Sequence, residues 1–176
     1  MLWLKRFDGL ARFSPRWALT IGTGPARSDA PVLVRPGGLG DLVLLTRAMQ
    51  QCGYDVHGVR WIVEKRNAPW LSYLGIHHAC YDSLTVIAAF LQGRLTAPVV
   101  VNTEQTFGLS TLFARRLAGR DGQVVGYSSN VRSDLYHRVV HYDRLRPELL
   151  SFADLLQVAA QQGARFKRAA LQYPEF

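Results

Sequence analysis

Residues that could do chemistry concentrate in Arg35-Pro36-Gly37-Gly38-Leu39-Gly40-Asp41, which follows the apolar run Val32-Leu33-Val34. Three glycines in four positions let a backbone turn sharply and approach a ligand with no Cβ in the way. A helix opening from that turn over Leu42 to Gln51 aims unpaired N–H groups at the ligand, which suits phosphate, carboxylate or sugar oxygens. Asp41 falls in or beside the first helical turn. It can cap the helix and complement its dipole, which position alone favours. It can also serve as a general base, taking a proton from a hydroxyl that attacks an anomeric carbon. The order Gly37-Gly38-Leu39-Gly40 departs from the G-x-G-x-x-G of dinucleotide sites, and no Lys-Ser/Thr pair follows as in a triphosphate loop.

The elements that must position this turn are legible from apolar runs and their punctuation. Strands are expected over Val32–Val34, Arg60–Val63, Ala79–Tyr81, Val99–Val101 and Gln123–Gly126, with Val139-Val140 as a further candidate. Helices are expected over 42–51, 67–74 and from Ser83 with Leu84, Ile87, Phe90 and Leu91 on one face. Two more carry Leu109, Leu112, Phe113, Arg116 and Leu117, and, over 147–162, Leu149, Leu150, Ala153, Leu156 and Ala160. Alternation of strand and helix predicts an α/β fold, a Rossmann-like, doubly wound parallel sheet. Ligands of such sheets bind beyond the carboxyl ends of the strands. That rule adds Glu64, Lys65 and Arg66 after the second strand, and Asn102, Thr103, Glu104 and Gln105 after Val101.

At 176 residues, 48% hydrophobic, the chain suits one packed α/β domain. It divides into a basic amphipathic segment and linker over 1–30, a domain over 31–163, and a tail or start of a linker over 164–176. In the first segment Trp3 and Phe7 can enter a membrane interface beside Lys5 and Arg6, or pack on the chain's own domain. The formal charge of +8, from 21 Lys and Arg against 13 Asp and Glu, favours an anionic partner. Arg132, His137, Arg138, His141, Arg144 and Arg146 form a basic stretch that suits phosphate, an anionic membrane or plain solvent. No RRM, KH, zinc-finger or helix-turn-helix pattern appears, so nucleic acid is not expected. Cys52 and Cys80 lack metal or disulfide spacing, which fits free thiols in a reducing cytoplasm and no metal site. No apolar run reaches the roughly 18–20 residues of a membrane-spanning helix.

The run Val34-Arg-Pro-Gly-Gly-Leu-Gly-Asp-Leu-Val-Leu-Leu-Thr-Arg-Ala-Met-Gln50 resembles the opening strand, turn and helix of family 9 glycosyltransferases, the heptosyltransferases of lipopolysaccharide core assembly. Trp61 to Pro69, Val99 to Gly119 and Val125-Gly126-Tyr127 resemble the family's later elements, in its order, across residues 31–163. The resemblance implies the N-terminal half of a GT-B glycosyltransferase. In that arrangement this half holds a lipid-linked phosphorylated sugar acceptor, and a facing domain binds the nucleotide-sugar donor, such as ADP-heptose, with no metal or other cofactor. Asp41 maps onto the family's general base. Gly37, Gly38 and Gly40 shape the turn, and Arg35 takes the place of a basic residue that can meet phosphate. Glu64, Arg66, Asn102, Thr103, Glu104 and Gln105 become candidate acceptor contacts, although the family's more usual aspartate near that strand end is replaced by Asn102 or Thr103. The donor-binding domain would lie in the same or another chain, and the 176-residue chain by itself should transfer little. A peripheral place on the anionic inner-membrane surface follows from the same likeness. The alternative is a non-catalytic basic module binding an anionic membrane or phosphorylated ligand.

Overall fold

Strands that are apolar at every position need cover on both faces, and the computed structural model, which describes residues 29–169, provides it. In chain order the elements are β1 (Val32–Arg35), α1 (Leu39–Gln51), β2 (Arg60–Val63), α2 (Ala68–Tyr73), β3 (His78–Cys80) and α3 (Leu84–Leu91). Then follow β4 (Val99–Asn102), α4 (Gly108–Ala118), β5 (Gln123–Tyr127), β6 (Arg138–Val140) and α5 (Glu148–Gln161). Six strands form one sheet in the order β3-β2-β1-β4-β5-β6, every pair parallel. This is the doubly wound, Rossmann-like order. The amphipathic reading of the N-terminal segment concerns residues that, up to position 28, lie outside those described.

The side-chain period of two divides the core. Leu33, Trp61, Val63, Val101, Val125 and Tyr127 face a layer built on α1 and α5, where Leu42, Leu45, Met49, Phe152 and Leu155 are buried. Val32, Val34, Ile62, Val100 and Val124 face α4, packing on Ala114, Leu117 and Ala118.

Strand positions match the sequence reading closely, whereas three helix faces differ from it. Along α5 the buried residues are Ser151, Phe152, Leu155, Leu156 and Ala159, and Leu150 lies outward. In α4 the wall is Ser110, Thr111, Ala114, Leu117 and Ala118; Phe113 instead stacks on Phe90 with ring centroids 4.3 Å apart. Arg116 closes the end of α3, its Nε donating to the Phe90 carbonyl at 3.1 Å and its Nη2 to that of Leu91 at 2.5 Å. Ser83 caps α3 through the Val86 N–H as expected. No α3 residue is fully buried, and Leu84 is 85% exposed. The helix's Phe90 is the residue that reaches the core layer around Val32, Val34 and Ile62, while the rest of its apolar surface is only partly covered.

At the end of the sheet opposite the strands' carboxyl ends, residues after α5 fold back along the α1–β2 connection. Phe166 stacks on Tyr54 at 4.6 Å. The Asp55 N–H donates to the Lys167 carbonyl at 2.8 Å, and the Ala169 N–H to that of Gly53 at 3.0 Å. Arg168 lies over the Tyr54 ring. This strap ties down the last turn of the core away from the crevice.

Candidate functional site

A doubly wound sheet opens a crevice where the chain leaves adjacent strands in opposite directions, here between β1 and β4. Arg35 ends β1 and Asn102 ends β4. The turn between β1 and α1 depends on one glycine more than on three. Gly37 has φ +125°, and a Cβ there would lie 2.9 Å from Arg35 Nη2. Gly38 and Gly40 have ordinary φ and open surroundings. They leave the helix start bare: α1 begins at Leu39, three residues earlier than the sequence suggests, so Gly40 and Asp41 lie in its first turn. With glycine at the cap position no side chain caps the N–H groups there, and Gly38, Leu39 and Gly40 are exposed.

Asp41 lies at this edge with its side chain 41% exposed. Its Oδ2 accepts a hydrogen bond from Arg35 Nη2. Arg35, read from sequence as a contact for ligand phosphate, is instead 2% exposed. Its Nη1 donates to the Thr103 carbonyl at 2.7 Å, and its Cζ lies 5.6 Å from the centroid of the Phe152 ring.

The β2 loop closes on the same turn. Gly37 O accepts from Asn67 Nδ2 at 2.5 Å and from Arg66 Nη2 at 3.2 Å. Glu64 is buried, and its Oε2 accepts a hydrogen bond from Arg66 Nε at 2.6 Å. Burial, followed by the charge of Glu64, pushes the neighbouring Tyr81 hydroxyl well above its ordinary pKa. Glu64 and Arg66 thus brace Gly37. Arg66, about half exposed, is the member of the pair open to a ligand.

Beyond β4 the candidate residues divide. Asn102 is fully buried, and its Nδ2 lies within hydrogen-bond reach of Ser110 Oγ (3.0 Å), Thr111 Oγ1 (3.3 Å) and Tyr136 OH (2.8 Å). Thr103 is also buried, donating to the Val34 carbonyl at 3.0 Å. Neither offers a group to a sugar. Both shape the loop instead, because the strand's alternation turns Asn102 toward α4. Glu104 is buried next to the turn: the Cβ position of Gly37 is 3.6 Å from its Oε2. Burial raises its pKa above the ordinary carboxylate value, opposed by Arg35 and by the Thr106 and Phe107 N–H groups, with Asp41 adding to the rise. Gln105 Nε2 donates to Glu148 Oε1, and Glu148 Oε2 also accepts from Tyr142 OH at 2.8 Å.

The basic stretch is not one patch. Arg132 pairs with Asp134, His137 Nδ1 accepts the Val124 N–H, Arg138 reaches Gln162, and Arg146 pairs with Asp154. Arg138 and Gln162 lie toward the end of the sheet opposite Asp41. Asn67 and Phe152 also belong to the site, and the sequence alone does not single them out. Asn67 had a weak signal, a side-chain amide directly after the charged loop; Phe152 had none beyond its place in an amphipathic helix. Among the described residues no group of His, Cys, Asp or Glu is arranged to hold a metal ion, and no helix is long and apolar enough to cross a membrane.

No protein-family model and no curated protein matches this chain. Solved structures of the Escherichia coli heptosyltransferase WaaC are similar in fold. The complex with ADP-2-deoxy-2-fluoro heptose superposes with a TM-score of 0.57 at 17% identity, over 81% of this chain. The complex with ADP gives 0.55 at 18% identity over the same share. The chain spans about half the length of the solved structures it matches, 50% in each case.

Proposed function

We propose that this chain is the acceptor-side domain of a glycosyltransferase of the heptosyltransferase kind, with Asp41 as its general base. The observation carrying this reading is an exposed carboxylate in the first turn of an uncapped helix, beside a strand-order switch point. In the proposed step an acceptor hydroxyl oxygen bonds to the anomeric carbon of a nucleotide sugar. Its proton passes to Asp41, and the bond from that carbon to the phosphate oxygen breaks, its electron pair leaving with the nucleoside diphosphate. The bare N–H groups at Gly38–Gly40 and the exposed part of Arg66 suit the hydroxyl and phosphate oxygens of a lipid-linked phosphorylated sugar. The donor, ADP-heptose or a relative, would be held by a facing domain of the same or another chain, since transfer depends on both reactants being held together. An anionic membrane surface carrying the acceptor suits the net charge of +8.

The test pairs this chain with a donor-binding half, as one polypeptide or two, and follows transfer from ADP-heptose to a lipopolysaccharide-core acceptor. Asp41→Asn should lower kcat by roughly 10²–10⁴-fold, the range for loss of a positioned base. Wild-type turnover in that variant would refute the role of Asp41. Absence of transfer with the intact pair would refute the sugar-transfer reading.

A further inference from the structure

Arg35 is a cation buried at the mouth of a crevice, and both terminal nitrogens of its fork are engaged by protein. Nη1 is anchored on the Thr103 carbonyl, which belongs to the loop after the neighbouring strand, and Nη2 on Asp41 Oδ2. The third nitrogen, Nε, is buried without a hydrogen-bond partner. Phe152 lies beside the guanidinium from α5. Gly37 completes the enclosure, since a Cβ there would meet Nη2 at 2.9 Å. Glu104 lies across Gly37 but forms no ion pair with Arg35 within 4.0 Å, its Oε1 being held by the Thr106 N–H at 3.1 Å. A buried arginine needs a carboxylate, and breaking such a pair is costly. Among the described residues Asp41 is the one ion-pair partner Arg35 has.

We infer that Arg35 is a positioning residue that pins Oδ2 of Asp41, so that Oδ1 is the oxygen presented at the crevice edge, and is not itself a ligand for acceptor phosphate. A planar fork suits this task because it reaches the Thr103 carbonyl and Asp41 together. A lysine in the same place supplies the charge but lacks that geometry. The kinetic consequence rests on the sugar-transfer reading; the conformational consequence does not.

Three-bond couplings from the backbone to Asp41 Cγ, measured by NMR on the chain itself, report the χ1 rotamer. One rotamer is expected in the wild type, averaged couplings in Arg35→Gln, and intermediate values in Arg35→Lys. Should Arg35→Gln fail to fold, Arg35→Lys decides. Couplings in the deciding variant identical to wild type would overturn the inference. In the transfer assay with a donor half, Arg35→Gln should lower kcat by roughly 10²-fold, the scale of a small misplacement of a reacting group. The KM for acceptor should stay within about twofold, because uniform binding is untouched, and Arg35→Lys should restore part of the loss. A raised KM with unchanged kcat would overturn the inference in favour of a phosphate contact. If the wild-type pair transfers no sugar, the functional reading fails while the couplings still decide whether Arg35 holds Asp41.

Discussion

Gly126→Ala should destabilise the fold through one side chain, Tyr136. Gly126 lies in β5, paired with Val139 of β6, on the sheet face that packs against Tyr136. A Cβ added there would lie 2.5 Å from Tyr136 Cε2 and 2.8 Å from Cε1, and closer still to Cζ. Ordinary van der Waals contact begins near 3.4 Å, so the ring must shift by about 1 Å, on the scale of the backbone and side-chain displacements that overpacking forces. The ring is buried, and its hydroxyl hydrogen-bonds with both Asn102 Nδ2 and Thr111 Oγ1 at 2.8 Å. Overpacking costs about 1–3 kcal/mol, and loosening one or two buried hydrogen bonds adds about 1 kcal/mol each. The sum, about 2–5 kcal/mol, corresponds to a Tm drop of roughly 5–15 °C for a domain of this size. Urea unfolding followed by far-UV circular dichroism measures it. In a Tyr136→Ala background the same glycine change should cost less than about 1 kcal/mol, because the clashing partner is gone. Equal costs in the two backgrounds, or a single variant within 1 kcal/mol of wild type, would refute the steric argument.

Three further outcomes follow from the same geometry. Burial raises the Glu104 pKa, so its contribution favours the fold below the unfolded value near 4.5 and is lost as pH rises through the raised folded pKa; wild type should therefore lose stability relative to Glu104→Gln over that window, measured by urea midpoints from pH 4 to 7. Phe166→Ala removes the stack on Tyr54 and should cost about 1–3 kcal/mol, with faster proteolysis of the chain after Gln161. Leu117→Ala, at a buried α4 position, should cost about 2–5 kcal/mol, whereas Leu84→Lys on the exposed face of α3 should stay within about 0.5 kcal/mol, both read from thermal unfolding.

Local chemistry settled much of this protein before any packing was considered. Val32–Val34, Trp61–Val63 and Val99–Val101 are apolar without interruption, a pattern that belongs to strands covered on both faces, and Gly53 and Gly119 stop helices where helical spacing ends. Those signals depend on neighbours a few residues away, so the sequence displays them. It also placed Asp41 beside the first turn of a helix next to a glycine bend.

Tertiary structure decided which way the polar residues at strand ends face. Asn102 continues the phase of Val100 toward α4 and is consumed by Ser110, Thr111 and Tyr136, whereas Glu104, two positions on, comes to lie beside Gly37 from a different strand. Arg35 reads as a solvent-facing basic residue until the Thr103 carbonyl and the Phe152 ring, 68 residues away for the former, close around it. The buried faces of α4 and α5 were likewise set by what lies beneath them: small residues against the sheet in α4, and Phe152 beside Arg35 in α5. Burial and pairing at long range are properties of the assembled fold, and no spacing within a single segment encodes them.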